Sequence, residues 1–321
     1  MASGTGGHAN GQNGGAVEEV GFVEIDPEDI RGMQYIASGS FGDVYRATWQ
    51  GKDVAVKKLR GVMVDPKAFS GDVGIGERMK ILRQHKFFRE VEVLSRINHP
   101  SIMRLYGAVT KEVPIMLVSE FVGGGDLFQK IHQSLYAPTY LECITFALEL
   151  AEGLEHMHGL EPKIIHRDIK PPNLLITEDG HLKLSDFGLA RLLSDVSDLT
   201  SQTGTYRWMA PEVIRNAQYN EKADIYSFGV LLWELITGMV PYGEQRTDTK
   251  IAVMVADKGH RPTAPASAAP ELKTLMQECW AEDASTRPPA TEIVRILRVE
   301  RDKIVAEMEA SKAKKQCCVV M

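Results

Sequence analysis

His166-Arg167-Asp168-Ile169-Lys170-Pro171-Pro172-Asn173, followed thirteen residues later by Asp186-Phe187-Gly188, is the stretch on which the fold reading turns. Between the two blocks, residues 173–177 and 181–185 alternate as short strands. Glu178-Asp179-Gly180 joins them as a glycine-containing hairpin turn. Downstream, helical periodicity occupies residues 222–237, 249–258, 272–281 and 291–310. Upstream, residues 141–158 are strongly helical, and before them the pattern changes kind. Val44, Tyr45, Ala47 and Trp49, then Val54, Ala55 and Val56, alternate around a Gln50-Gly51 turn, as strands of a hairpin or meander do. Further strands are expected over 103–110 and 115–121. A helix is expected over 77–98, with Met79, Leu82, Phe87, Val91, Leu94 and Ile97 on one face. The order is strands first and helices second, so an α+β chain is expected: a small β-rich lobe over about 30–122 and a larger α-rich lobe over about 123–298. Gly123-Gly124-Gly125 stands at the joint.

The bulk composition excludes several classes. The chain has 321 residues, 44% of them hydrophobic and 25% charged, which is ordinary for a folded domain and not for a disordered chain or a collagen. Its 37 basic and 43 acidic residues leave a net charge of −6, without the basic footprint of a nucleic-acid binder. Of four cysteines, Cys143 and Cys279 are isolated and Cys317-Cys318 are adjacent, so neither a disulfide set nor a zinc motif is written, and a reducing, cytoplasmic compartment is expected. No apolar run is long enough for a spanning helix; the best candidate, 228–240, is interrupted by Glu234. The first residues lack a basic-then-apolar pattern, so no signal peptide is expected from them. Residues 1–22 are rich in Gly, Ser, Asn and Gln and are expected to be disordered. Ala2 rules out N-myristoylation by its own motif.

Two more blocks precede residues 166–173 and one follows residues 186–188. Ala37-Ser38-Gly39-Ser40-Phe41-Gly42-Asp43-Val44 lies in the first hairpin, where glycines at 39 and 42 let backbone N–H groups approach an anion. Val54-Ala55-Val56-Lys57 places an ammonium at the end of an apolar strand. Ala210-Pro211-Glu212 comes after Asp186-Phe187-Gly188. Each block is ordinary sequence by itself. Together and in this order they match a protein-kinase signature set, and from about residue 32 to 297 the chain resembles a eukaryotic protein kinase.

The resemblance implies a bilobal kinase fold, Mg²⁺ and ATP as cofactors, and a role for each matching position. Lys57 would hold the α and β phosphates and Glu90 would pair with it from the helix over 77–98. Asp168 would take or orient the substrate hydroxyl proton, and Lys170 would steady the transferred phosphoryl group. Asn173 and Asp186 would bind Mg²⁺, which takes hard oxygen ligands. Ala37, Ser38, Gly39, Ser40, Phe41, Gly42 and Val44 would cover the nucleotide. Ala55 and Leu175 would sandwich adenine, the Glu120 carbonyl and Val122 amide would bond it, and Ser119 stands at the position that controls a back pocket. Leu94, Leu105, His166 and Phe187 look like a stacked spine, Glu212 like the partner of Arg287, and Asp224 like an anchor beneath the catalytic loop. Ala37 departs from the family's first loop glycine, which implies a small effect on nucleotide affinity.

Lys170 and Thr205 fit serine/threonine transfer, whereas Trp208-Met209-Ala210-Pro211-Glu212 and Tyr226-Ser227-Phe228-Gly229-Val230 read as tyrosine-kinase text. That mixture resembles the tyrosine-kinase-like group, near the Raf-like and mixed-lineage enzymes, and leaves dual specificity open. A membrane-recruited scaffold with the same fold is the alternative; the intact metal positions argue against it. Arg167 usually awaits a phosphate on the following loop, where Thr200, Ser201 and Thr203 are the candidate acceptors for an upstream kinase. Residues 61–76 read as a surface insertion. Residues 299–321 read as a helical extension and a basic tail. Cys318-Val319-Val320-Met321 is a C-a-a-X box favouring farnesyl, with Cys317 available for a second acyl chain and Lys312, Lys314 and Lys315 upstream. A protein substrate and the cytoplasmic face of a membrane are therefore the expected partners. The sequence does not indicate an oligomeric state.

Overall fold

A computed structural model describes residues 22–39, 42–60, 91, 94–95, 97–135, 137–186, 205–243 and 247–319. The first lobe is a five-stranded antiparallel sheet in the order β1-β2-β3-β5-β4, formed by β1 (Arg31–Gly39), β2 (Gly42–Trp49), β3 (Lys52–Leu59), β4 (Leu105–Val109) and β5 (Met116–Glu120). Strand periodicity decides what faces the cleft. In β3, Val54 and Val56 are fully buried on the outer face with Trp49, Val109 and Val118, and the alternate residues Ala55 and Lys57 turn the other way. A one-residue slip of this strand would bury the lysine and expose the valines. The register pairs Val44 with Lys57 and Ala55 with Ser119.

The outer face has a cover lying N-terminal to the expected lobe boundary. Residues 22–30 run beside β4: the Ile25 amide donates to the Ala108 carbonyl (2.8 Å) and the Ala108 amide to the Val23 carbonyl (3.0 Å). The Glu24 carboxylate accepts from the Thr110 amide (2.9 Å) and hydroxyl (2.5 Å). Ile25 and Ile30 complete the outer core. Gly107 makes this docking possible, since a Cβ there would lie 2.2 Å from the Val23 carbonyl oxygen. The folded body thus reaches back to Phe22, which is buried.

The second lobe is helical: α1 (Leu127–His132), α2 (Tyr140–His158), α3 (Pro211–Ile214), α4 (Lys222–Thr237), α5 (Asp248–Ala252), α6 (Pro270–Cys279) and α7 (Ala290–Val319), with a small hairpin of β6 (Leu174–Ile176) and β7 (Leu182–Leu184). Helix α2 begins with a capping box, in which Thr139 and Glu142 satisfy each other's backbone amides. Helix α4 is buried on all sides from Ala223 to Leu235 and forms the axis of the lobe. It ends at Gly238, whose left-handed φ of 64° closes the last turn. The expected helix over 249–258 is α5 followed by a π turn, Val253–Asp257. Helix α7 lies along α2, with Arg298 to Glu152 at 2.7 Å, and continues nine residues past the expected limit of 310 to Val319. Among the described residues no helix is long and apolar enough to cross a membrane.

Candidate active site

The loop 166–173 is held from below. Asp224, buried on α4, accepts the amides of His166 and Arg167, each at 2.8 Å, and a hydrogen bond from His158 Nε2 at 2.9 Å. Burial pushes this carboxyl up, but the His158 hydrogen bond and its neighbours outweigh it, and its pKa lies below the ordinary aspartate value. Burial lowers the pKa of His166 and keeps its imidazole neutral. Its Nε2 meets the Ser185 carbonyl at 2.9 Å and its Nδ1 the Asp168 amide at 3.3 Å, which together assign the Nε2–H tautomer. Two residues of the site hold left-handed backbone without being glycine, Arg167 (φ 72°) and Asp186 (φ 51°). Such conformations persist where surrounding structure imposes them, and here the Asp224 and Ser185 bonds do so.

On this platform the Asp168 carboxylate has two unlike oxygens. Oδ2 accepts from Asn173 Nδ2 (2.8 Å) and lies 2.8 Å from Lys170 Nζ. Oδ1 is buried and has no hydrogen-bond partner among the described residues. A buried carboxylate oxygen left unpaired is costly, and this one suits a hydroxyl proton brought by a substrate. Asn173 gives its Nδ2 also to the Asp168 carbonyl (2.7 Å), which leaves its Oδ1 as an oxygen donor. The Ser185 amide and hydroxyl both donate to the Asn173 carbonyl, at 2.8 and 2.9 Å, and so tie the approach to Asp186 to the same loop. Across the cleft Lys57 Nζ meets Asp186 Oδ1 at 2.6 Å.

The oxygen pair of Asn173 and Asp186 fits Mg²⁺, which takes few protein ligands and completes its shell with phosphate and water. Among the described residues no cluster of three or more His, Cys, Asp or Glu forms an alternative metal site.

The roof is the β1–β2 hairpin, in which Ala37 pairs with Val44, Ser38 with Asp43 and Gly39 with Gly42. The two glycines serve different ends. A Cβ at Gly42 would lie 2.0 Å from the Lys58 carbonyl oxygen, so that position is fixed by β3, whereas among the described residues a Cβ at Gly39 would meet the Gly42 carbonyl oxygen alone, at 3.8 Å. Arg60, just beyond β3, donates to Ser38 Oγ (2.6 Å) and to the Asp43 carboxylate, and braces both strands of the hairpin at its neck. Ser119 is buried, with its hydroxyl 3.4 Å from the Ala55 carbonyl. Leu175 pairs with Lys183 in the β6–β7 hairpin, below the β5 end at Glu120, and Val122 follows in the linker. Glu212 and Arg287 meet in a two-pronged ion pair (2.6 and 2.9 Å), with the arginine wholly buried and placed over the Tyr226 ring.

The structure therefore brings together Lys57, Asp168, Lys170, Asn173 and Asp186, and places Asp224 and the Glu212–Arg287 pair as expected. Of the residues expected to form a spine, Leu94 and His166 are buried and Leu105 is half-buried. Ser40, Phe41, the 61–76 insertion, Glu90, Phe187 and the loop with Thr200, Ser201 and Thr203 lie outside the described residues. So do the side chains of Thr205, Cys317 and Cys318. His158, Arg60 and Lys183 were not anticipated. Their roles depend on contacts across the fold, and only the basic residue that follows β3 leaves a faint local signal.

Comparison with known proteins agrees with this geometry. Residues 30–297 match the family model described as protein tyrosine and serine/threonine kinase. The serine/threonine-protein kinase STY46 of Arabidopsis thaliana is 35% identical over 289 residues, which cover 90% of this chain and 47% of the relative. The serine/threonine-protein kinase VIK of the same plant is 36% identical over 290 residues, 87% of this chain and 62% of the relative. The mitogen-activated protein kinase kinase kinase 7 of Homo sapiens is 35% identical over 280 residues, 86% of this chain and 42% of the relative. The chain belongs to the protein tyrosine and serine/threonine kinase family, within its tyrosine-kinase-like group. It spans about half the length of the curated relatives it matches.

Proposed function

We propose that the chain is a serine/threonine protein kinase that transfers the γ-phosphoryl group of ATP, with Mg²⁺, to protein substrates. The observation that carries this reading is the buried Oδ1 of Asp168, without a partner among the described residues, set beside Lys170 and Asn173 and across the cleft from the Lys57–Asp186 pair. Mg²⁺–ATP supplies the phosphoryl group and offsets the charge on its oxygens. Asp168 Oδ1 accepts the proton of the substrate hydroxyl as that oxygen bonds to phosphorus and the bond from phosphorus to the β–γ bridging oxygen breaks, releasing ADP. Lys170 carries positive charge to the same point, and Lys57 reaches the cleft from β3 to hold the nucleotide phosphates. Phosphoamino-acid analysis of an acceptor protein tests the reading: label on serine or threonine is the expected result, and label on tyrosine alone overturns the hydroxyl assignment.

Regulation and placement follow from features beyond the cleft. Among the described residues the buried Nε of Arg167 has no hydrogen-bond partner, which supports capture of a phosphate on the loop that follows Asp186, placed there by an upstream kinase on Thr200, Ser201 or Thr203. Alanine at all three positions is expected to remove activation, and unchanged activity would refute it. The C-a-a-X box at Cys318, with Cys317 and the basic run before it, supports a prenyl anchor and a second acyl chain at the cytoplasmic face of a membrane. A Cys318→Ser variant that partitions to membranes as the wild type does would refute the anchor.

A further inference from the structure

The inner edge of the nucleotide cleft carries an ion pair that no catalytic role uses. Glu120 is the last residue of β5, where the sheet lobe passes into the 121–125 linker. Its Oε1 accepts the Arg104 amide at 2.7 Å and lies 2.9 Å from Lys183 Nζ. Lys183 belongs to the other lobe: it is the middle residue of β7 and the ladder partner of Leu175, the residue expected beneath adenine. The backbone closes the arrangement. The Glu120 amide donates to the Arg104 carbonyl (2.9 Å), the Met103 amide to the Leu184 carbonyl (2.9 Å), and the Leu184 amide to the Ser101 carbonyl (2.8 Å). Residues 101–104 thus run between β5 and β7, bonded to both, and the Glu120–Lys183 pair spans them.

We infer that Lys183 is a positioning residue for the nucleotide, fixing the adenine-bonding edge at Glu120 against the adenine floor at Leu175. Both walls of the adenine slot then belong to one rigid unit that crosses the lobe boundary. The two side chains are 18% and 20% exposed, so solvent screens the pair far less than an open surface bridge. The carboxylate also holds a backbone amide, which limits its freedom, and the gap between edge and floor is set before any ligand arrives. Breaking the pair lets the edge and the floor move independently, so nucleotide must supply the ordering and its affinity falls. Chemistry at Asp168 uses neither side chain, so the rate at saturating ATP does not fall with the affinity.

The inference rests on reading this slot as the adenine site, and the test separates the two. The full chain is titrated with Mg²⁺–ADP by calorimetry, and KM for ATP and kcat are measured on the same preparations. Lys183→Met and Glu120→Gln are expected to weaken Mg²⁺–ADP binding and raise KM for ATP by about three- to tenfold. The double variant should be no weaker than either single one, and Lys183→Arg should stay within about twofold of wild type because it restores the cation. Glu120→Gln keeps an acceptor for the Arg104 amide, so it isolates the ion pair should Lys183→Met lower the yield of folded protein. Affinity in Lys183→Met equal to wild type, additive losses in the double variant, or a fall in kcat at unchanged KM each overturn the clasp. A wild-type chain that binds no Mg²⁺–ADP overturns the adenine-site reading and the clasp with it.

Discussion

The ammonium of Lys57 stands 2.6 Å from the carboxylate of Asp186, although the two residues are 129 positions apart and belong to different lobes. Strand alternation brings the lysine to the cleft, since Val54 and Val56 must be buried on the opposite face. The aspartate comes from a loop bonded through Ser185 to Asn173 and His166. The charge pattern of the cleft is thus a product of the two hydrophobic cores, which fix the elements that carry it.

Asp224 should confer acid-sensitive stability. Its folded pKa lies below the ordinary value, so its contribution is fully present above the unfolded carboxylate pKa of ~3.9 and is lost as the pH falls through the lower folded value. Asp224→Asn should cost about 2–4 kcal/mol near neutral pH, since one of the two loop amides then faces a donor. Urea unfolding of both proteins at falling pH checks this: the difference should hold from neutral pH to about 5 and shrink below about 4. A difference that stays constant into strong acid would show that the charge is not what holds the loop.

Arg287→Ala leaves the Glu212 carboxylate without its partner in the interior. Loss of one member of a buried pair costs roughly 3–5 kcal/mol, which at about 2–4 °C per kcal/mol lowers Tm by about 6–20 °C for a domain of this size. Thermal unfolding monitored by tryptophan fluorescence measures it. Arg287→Lys should recover only part of the loss, because one ammonium cannot reproduce both prongs.

The segment before β1 is part of the folded body. Ile25→Ala should cost about 2–4 kcal/mol, as for other wholly buried large-to-small changes. A measured cost near zero would mean that residues 22–30 do not cover the sheet in solution.

Cys143 and Cys279 should be unreactive in the native chain. Both are buried; burial, helped by Glu142, pushes the Cys143 thiol up to about 11, and burial raises Cys279 further. Alkylation near neutral pH followed by peptide mass analysis should leave both unmodified until denaturant is added.

Much of this was legible in the sequence because the informative positions are local. The hairpin over 173–185 and the helix over 141–158 follow from period and turn chemistry, and the residues that converge on the cleft lie in short blocks of fixed order. Other features were hidden for a physical reason. The Arg60 brace, the His158 bond to Asp224 and the Glu120–Lys183 pair join residues distant in sequence, and the side chains involved are common at solvated surfaces. Residues 22–30 lie outside the matching motifs, and the burial of Ile25 becomes intelligible only once β4 and Gly107 are in place.

The proposed phosphoryl transfer to protein hydroxyls depends on the groups around Asp168 and Asp186. Labelled ATP with Mg²⁺, a generic basic protein as acceptor, and wild type beside Lys57→Met and Asp186→Asn test it directly. Label is expected on serine or threonine in the wild type, reduced by at least about a hundredfold in both variants, whose Tm stays near that of the wild type. Label that persists in Asp186→Asn at the wild-type rate would contradict it.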